Sequence, residues 1–271
     1  MKMFLNQVNP NALTVFIIEN VAKLFGGNAP AGAGVYPDYD KKPKFIKAWA
    51  AGDWRKFVDG FTQQSMMWHN KFWLIPPADF SLFDLREGGV TWRPNVFCSF
   101  KLIVQNNNAG AHRTIEVVNL QNPAAGFRSD SGHYDSEDTN LTPHEARDVT
   151  GQIHRNKQPT IAHEVGHALG LPHIGETRGL QACSDAKLVY QYKDFIKQDW
   201  LAAIYRGGNG AAVCYGHGGS AGDINNIMGQ GAAFANDNAS PWLNRLGVHL
   251  TGKTDIKKWT ARVGHVPVRR L

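Results

Sequence analysis

Residues 160–174 read TIAHEVGHALGLPHI. His163 and His167 stand four apart, so a helix sets both rings on one face about one turn apart, near enough to share one ion. Glu164 follows the first histidine, and its carboxylate projects beside that ion, where it can meet water. This is the HExxH arrangement, with zinc as Lewis acid and glutamate as general base. The other positions are apolar: Ile161, Ala162, Val165, Ala168 and Leu169. Histidines buried on such a face for purely structural reasons would each need a separate hydrogen-bond partner.

His173 lies six residues beyond His167, and a continuing helix would carry it away from the ion. Gly170 falls between them, where a left-handed residue ends a helix and turns the chain without a Cβ penalty. Pro172 favours an extended Leu171. Together they give His173 a route back. Three protein ligands and one open position are what catalysis on zinc needs.

HEVGHALGLPH resembles the extended zinc-binding signature of the metzincin clan of metallopeptidases, and the Asn-Ile-Met-Gly at 226–229 resembles the methionine turn that lies beneath the metal in that clan. The resemblance covers those two motifs and the coarse element order; the first 90 and last 20 residues carry none of it. It implies one catalytic Zn2+ on His163, His167 and His173, Glu164 as general base and Met228 as an apolar floor. It also implies an upstream strand along the cleft that pairs with an extended peptide substrate. Taken alone, Met228 reads as ordinary core filling. Some metzincins carry a tyrosine soon after the methionine; here the following GQGAAFANDN has none. Tyr215 and His217, on the preceding loop, are the candidates for stabilising an oxyanion or supporting the ligands.

The implied activity is zinc-dependent hydrolysis of peptide bonds in proteins. Two alternatives use the same residues: a protein-binding or toxin-like module with a zinc site and little turnover, and a zinc amidase acting on cell-wall peptides. The implied fold is α+β and metzincin-like, one domain over 1–271. An N-terminal sheet-and-helix subdomain over 1–172 includes the zinc helix, and a mostly irregular C-terminal subdomain over 173–271 includes the methionine turn and ends in a helix.

The whole chain constrains this reading. Of 271 residues, 42% are hydrophobic and 19% charged, a folded-protein balance. No apolar run reaches the roughly 18 residues of a membrane span. The opening MKMFLNQVNP is broken by polar residues and Pro10 and reads as the first element of the fold rather than a secretory signal, so export would need a trimmed signal or a non-classical route. The net charge is +6, but the basic residues are scattered and form no zinc-finger, RNA-binding or recognition-helix pattern, which argues against nucleic acid as a partner. Cys98, Cys183 and Cys214 contain no CxxC pair. The latter two either bridge, which points to an oxidising compartment, or remain buried thiols.

Trp54, Phe57, Val58, Phe61, Trp68 and Phe72 recur at helical spacing, interrupted by Gly60. Residues 96–104 and 112–120 read as two strands of a hairpin joined by QNNNAGA. The polar stretch 121–157 reads as loops around one short strand at 149–153. Within it, residues 129–138, SDSGHYDSED, read as a solvated surface loop. The alternative there is a structural calcium site through Asp130, Asp135, Glu137 and Asp138, although their spacing departs from the twelve-residue calcium loop. A helix is predicted over 188–205, and a final helix with Ser240 as N-cap and Pro241 in its first turn.

Overall fold

The computed structural model describes residues 1–8, 34–37, 43–105, 107–180, 183, 210–252, 256 and 258–271. The helix read at 188–205 lies outside them. The fold is mixed α+β, with several small sheets and helices. Among the described residues the helices are α1 (Ala51–Ser65), α2 (Thr160–Ala168), α3 (Ile174–Thr177), α4 (Gly210–Cys214), α5 (Ala221–Asn225) and α6 (Ser240–Thr251). No helix among the described residues is long and apolar enough to cross a membrane.

The chain gathers into two units. One comprises Met1–Met67, Lys101–Thr142 and Pro159–Ala168; the other comprises Trp68–Phe100, Pro143–Gln158 and Leu169–Leu271.

The first unit is built on a four-stranded sheet in the order His133–Asp135, Arg113–Val118, Lys2–Val8, Ile103–Gln105. All three pairings are parallel. Met3 sits opposite Arg113 and Val8 opposite Val118. The hairpin expected from residues 96–104 and 112–120 does not form: the N-terminal strand lies between Ile103–Gln105 and Arg113–Val118 and pairs with both. Alternation explains why the sheet is covered, since Met3, Leu5, Ile115 and Val117 are all buried at every second position. Helix α1 buries Phe57 and Phe61, and Phe61 meets Tyr134 edge-on with ring centroids 5.6 Å apart. Gly60, which breaks the apolar stripe, has a packing reason: a Cβ there would come within 2.7 Å of Thr139 Cγ2.

The acidic stretch is a correction. Residues 129–138 are not a solvated loop, because they supply the strand His133–Asp135 and bury Tyr134, Asp135 and Asp138. The Asp138 carboxylate accepts the Asp135 N–H at 2.7 Å and the Ser129 hydroxyl at 2.5 Å, and the Asp135 carboxylate accepts the Glu137 N–H at 2.5 Å. The acids stitch a turn, which is why they go inside.

In the second unit, Phe72–Ile75 pairs antiparallel with Thr260–Val263 on one side and Val96–Cys98 on the other. Phe72 is therefore a strand residue and not the end of the aromatic helix, which stops at Ser65 and is followed by a 3-10 turn over Met66–Trp68. Trp68, Phe72, Phe234 and Trp242 form an aromatic cluster with centroids 4.9 Å apart for Trp68–Phe234 and 5.3 Å for Phe72–Trp242. The expected single strand at 149–153 is instead the connection between two longer strands, Leu141–Arg147 and Ile153–Pro159, which pair with each other. Asp148 holds that connection, accepting from the N–H groups of Thr150 at 2.8 Å and Gln152 at 3.0 Å while facing His154 Nε2 at 2.8 Å. The final helix begins at Ser240, but directly from a 3-10 turn over Asn236–Ala239, so Ala239 takes the N-cap position and Ser240 is the first helical residue. Pro241 does lie in the first turn.

Candidate metal centre

Helix α2 carries Ile161, Ala162 and Val165 on its buried face. At its start the Ile161 N–H donates to Gln64 Oε1 at 3.2 Å, so a buried side chain of α1 satisfies one of the donors that a helix's first turn leaves open. His163 and His167 project from successive turns on one side, their rings nearly perpendicular at 88° and their Nε2 atoms 3.2 Å apart.

The helix ends at Ala168, and Gly170 follows with φ +96°, a left-handed conformation that glycine adopts without strain. Leu171 is buried. His173 is extended, at φ −60° and ψ 157°, and stands as the N-cap residue of α3. One ligand atom from each of His163, His167 and His173 lies within 4.8 Å of the other two.

The donor set fits zinc. Tetrahedral ligands at about 2.0–2.1 Å from the ion stand roughly 3.3 Å from one another. His163 and His167 already have that spacing, and the 4.8 Å limit leaves the third imidazole at most about 1.5 Å to close. Three imidazole nitrogens also suit this metal better than calcium, which takes oxygen ligands.

Glu164 leaves the helix next to His163. Burial, followed by the Asp130 and Asp138 carboxylates, pushes its pKa well above the ordinary glutamate value, with Arg128 opposing. Without a nearby cation this carboxyl therefore holds a proton more readily than an exposed glutamate does.

Met228 is buried in a tight turn. Its N–H donates to Asn226 Oδ1 at 2.8 Å, and its carbonyl accepts the Ile174 N–H at 3.0 Å, which ties the turn to the residue after His173. The glycines here are required: a Cβ on Gly229 would come 2.4 Å from Asp223 O, and one on Gly231 would come 2.1 Å from Asn225 O.

Tyr215 lies with its ring 4.3 Å from that of His173. His217 is engaged elsewhere, its Nε2 3.1 Å from Gln230 Oε1. Cys183 and Cys214 form a disulfide, resolving the open choice between bridge and free thiols, and Cys214 adjoins Tyr215 in the chain. Helix α4 also packs tightly on α3, since a Cβ on Gly175 would meet Val213 O at 2.4 Å. Cys98 is free and buried, and burial pushes its thiol up to about 12, which keeps it unreactive.

Two residues near the motif escape a reading of the sequence alone. Gln64 gives no signal, being one polar residue on an amphipathic helix. Glu176 does have one: it stands three residues after His173 at the start of a helix, and its Oε1 lies 3.7 Å from His173 Nδ1.

No protein-family model, curated protein or solved structure matches the chain.

Proposed function

We propose that the protein is a zinc-dependent hydrolase of peptide bonds, working as the metzincin resemblance implies. The observation that carries the proposal is the convergence of the three imidazoles within 4.8 Å on a stretch of eleven residues. His163, His167 and His173 hold the metal. A zinc ion bound there supplies Lewis acidity toward a carbonyl and brings water into its nucleophilic range near neutral pH. Glu164 accepts the proton of the attacking water on its carboxylate and hands it to the departing amine. Met228 backs the segment that carries His173, and Tyr215, resting against that ring, is the better oxyanion candidate of the two, since His217 is occupied by Gln230. The disulfide fits an oxidising compartment.

A second reading is a zinc-holding module that binds protein with little turnover, with a zinc amidase acting on cell-wall peptides as a further alternative. The histidine cluster carries the binding module as well, because holding the metal needs the three imidazoles and no base. The deciding experiment measures zinc content and cleavage of unfolded protein and of cell-wall peptides, with and without chelator, for the parent and Glu164→Gln. Hydrolysis by the parent, abolished by the chelator and reduced by about 100-fold or more in Glu164→Gln with zinc retained, supports the proposal. Zinc retention with no hydrolysis in the parent supports the binding module, and cleavage of cell-wall peptides alone supports the amidase.

A further inference from the structure

The backbone of His173 is pinned on both sides. Its carbonyl accepts the Thr177 N–H at 3.1 Å, and the next residue, Ile174, donates to Met228 O at 3.0 Å. What the backbone leaves open is the ring: its rotation about χ2, and which of its two nitrogens carries the proton. For His163 and His167 the ring orientation is set, with their Nε2 atoms 3.2 Å apart.

Two neighbours act on the His173 ring. Tyr215 rests against it, with centroids 4.3 Å apart. Glu176 holds Oε1 3.7 Å from Nδ1, with both side chains only 22% exposed. The origin of this second contact is geometric. His173 is the N-cap residue of α3, and Glu176 is the third residue of that helix. A glutamate at that position reaches back toward the N-cap. Here the residue it reaches is an imidazole, a ring that can carry a hydrogen on Nδ1.

We propose that Glu176 is a positioning residue for His173: its carboxylate takes the Nδ1 hydrogen, fixes that tautomer, and so turns the Nε2 lone pair toward the other two histidines. This rests on the reading above that the three histidines hold zinc. Closing the gap from 3.7 Å to a hydrogen bond of about 2.8 Å is a side-chain adjustment that leaves α3 where it is. A carboxylate behind a ligating imidazole orients the ring and makes it a stronger donor.

The test uses the whole protein and zinc alone. Zinc affinity is measured by competition with a chromophoric chelator for the parent, Glu176→Ala, Glu176→Gln and His173→Ala, alongside thermal unfolding of each metal-free form. Long-range proton–nitrogen spectra of the imidazoles report the His173 tautomer. Glu176→Ala is expected to weaken zinc binding by about 10–100-fold and to release the tautomer, with metal-free unfolding unchanged. Glu176→Gln, whose amide oxygen still accepts the Nδ1 hydrogen, is expected to recover most of the affinity, and His173→Ala to lose more than either.

Parental affinity in Glu176→Ala, with binding weakened in His173→Ala, overturns the positioning role and leaves the zinc site standing. A loss in Glu176→Ala that tracks an equal loss of metal-free stability, or a tautomer that does not respond, also overturns it. Parental zinc affinity in His173→Ala overturns instead the three-histidine reading on which the inference rests.

Discussion

Asn226 and Asn238 exchange their side-chain amides: Asn226 Nδ2 donates to Asn238 Oδ1 at 3.2 Å, and Asn238 Nδ2 donates to Asn226 Oδ1 at 3.3 Å. Both are buried, and each oxygen accepts a second, backbone donor, Met228 N–H at 2.8 Å for Asn226 and Ala235 N–H at 2.8 Å for Asn238. Asn226→Ala strands two buried donors at once. It should cost about 3 kcal/mol in urea unfolding, and the double variant with Asn238→Ala should cost clearly less than the sum of the two singles, because they share the same bonds. Additive losses would mean that the amide pair is not an energetic unit.

Gly170 stands at φ +96° with open space where a Cβ would go. Any penalty for Gly170→Ala is thus backbone strain and not a clash. Stability should fall by about 1–2 kcal/mol, and zinc affinity should fall with it, since the turn carries His173. Gly170→Asn, a residue that tolerates the left-handed region, should lose less of both. Equal behaviour of the alanine and asparagine variants in calorimetry and zinc competition would show that the turn is set by something other than this dihedral.

The Cys183–Cys214 bridge spans a sequence separation of 31. Loop-closure entropy for that length corresponds to about 3–4 kcal/mol, so a Cys183→Ser/Cys214→Ser protein should unfold at distinctly lower urea concentration. It should also bind zinc more weakly, because Cys214 adjoins the tyrosine that rests on His173. Reduction of the parent should reproduce both effects. A stability loss with zinc affinity intact would separate the bridge from the metal centre.

Two buried carboxyls act on opposite arms of the pH profile. Burial, then Asp135, raises the Asp138 pKa well above its ordinary value. The folded chain keeps a proton that the unfolded chain releases near pH 4, and stability falls as pH rises through the window above that point. Asp148 is shifted the other way, by the Thr150 hydroxyl and then His154. Its contribution is present above about pH 4 and lost as pH drops below. Metal-free unfolding midpoints across pH should lose part of the alkaline decline in Asp138→Asn and part of the acid decline in Asp148→Asn. Glu164, also raised, keeps the alkaline slope from vanishing. A steeper alkaline decline in Asp138→Asn would contradict the assignment.

What could be read beforehand was what depends on near neighbours in the chain. Helical spacing is enough to bring His163 beside His167, and a glycine between two apolar residues is enough to mark the bend toward His173. Pairing of the N-terminal strand with both Ile103–Gln105 and Arg113–Val118 depends on contacts roughly a hundred residues apart, and adjacent strand-like runs resemble a hairpin whether or not a third strand comes between them. The acidic stretch misled for a related reason. Composition counts Asp135 and Asp138 as surface residues, whereas their burial follows from backbone donors that exist only once the turn has formed.

Gln64 sits at the other extreme of sequence distance. Its amide donates to Thr139 O at 2.8 Å and Asp138 O at 3.2 Å while its oxygen receives the Ile161 N–H. One carboxamide thereby fastens the opening of the histidine helix to the acidic turn and to α1. The eleven residues of the motif are consequently not a portable cassette. Grafted onto another helix, they would keep the spacing of His163 and His167 but lose the anchor that aims the pair, and a truncated chain starting beyond α1 would face the same loss with every histidine still present.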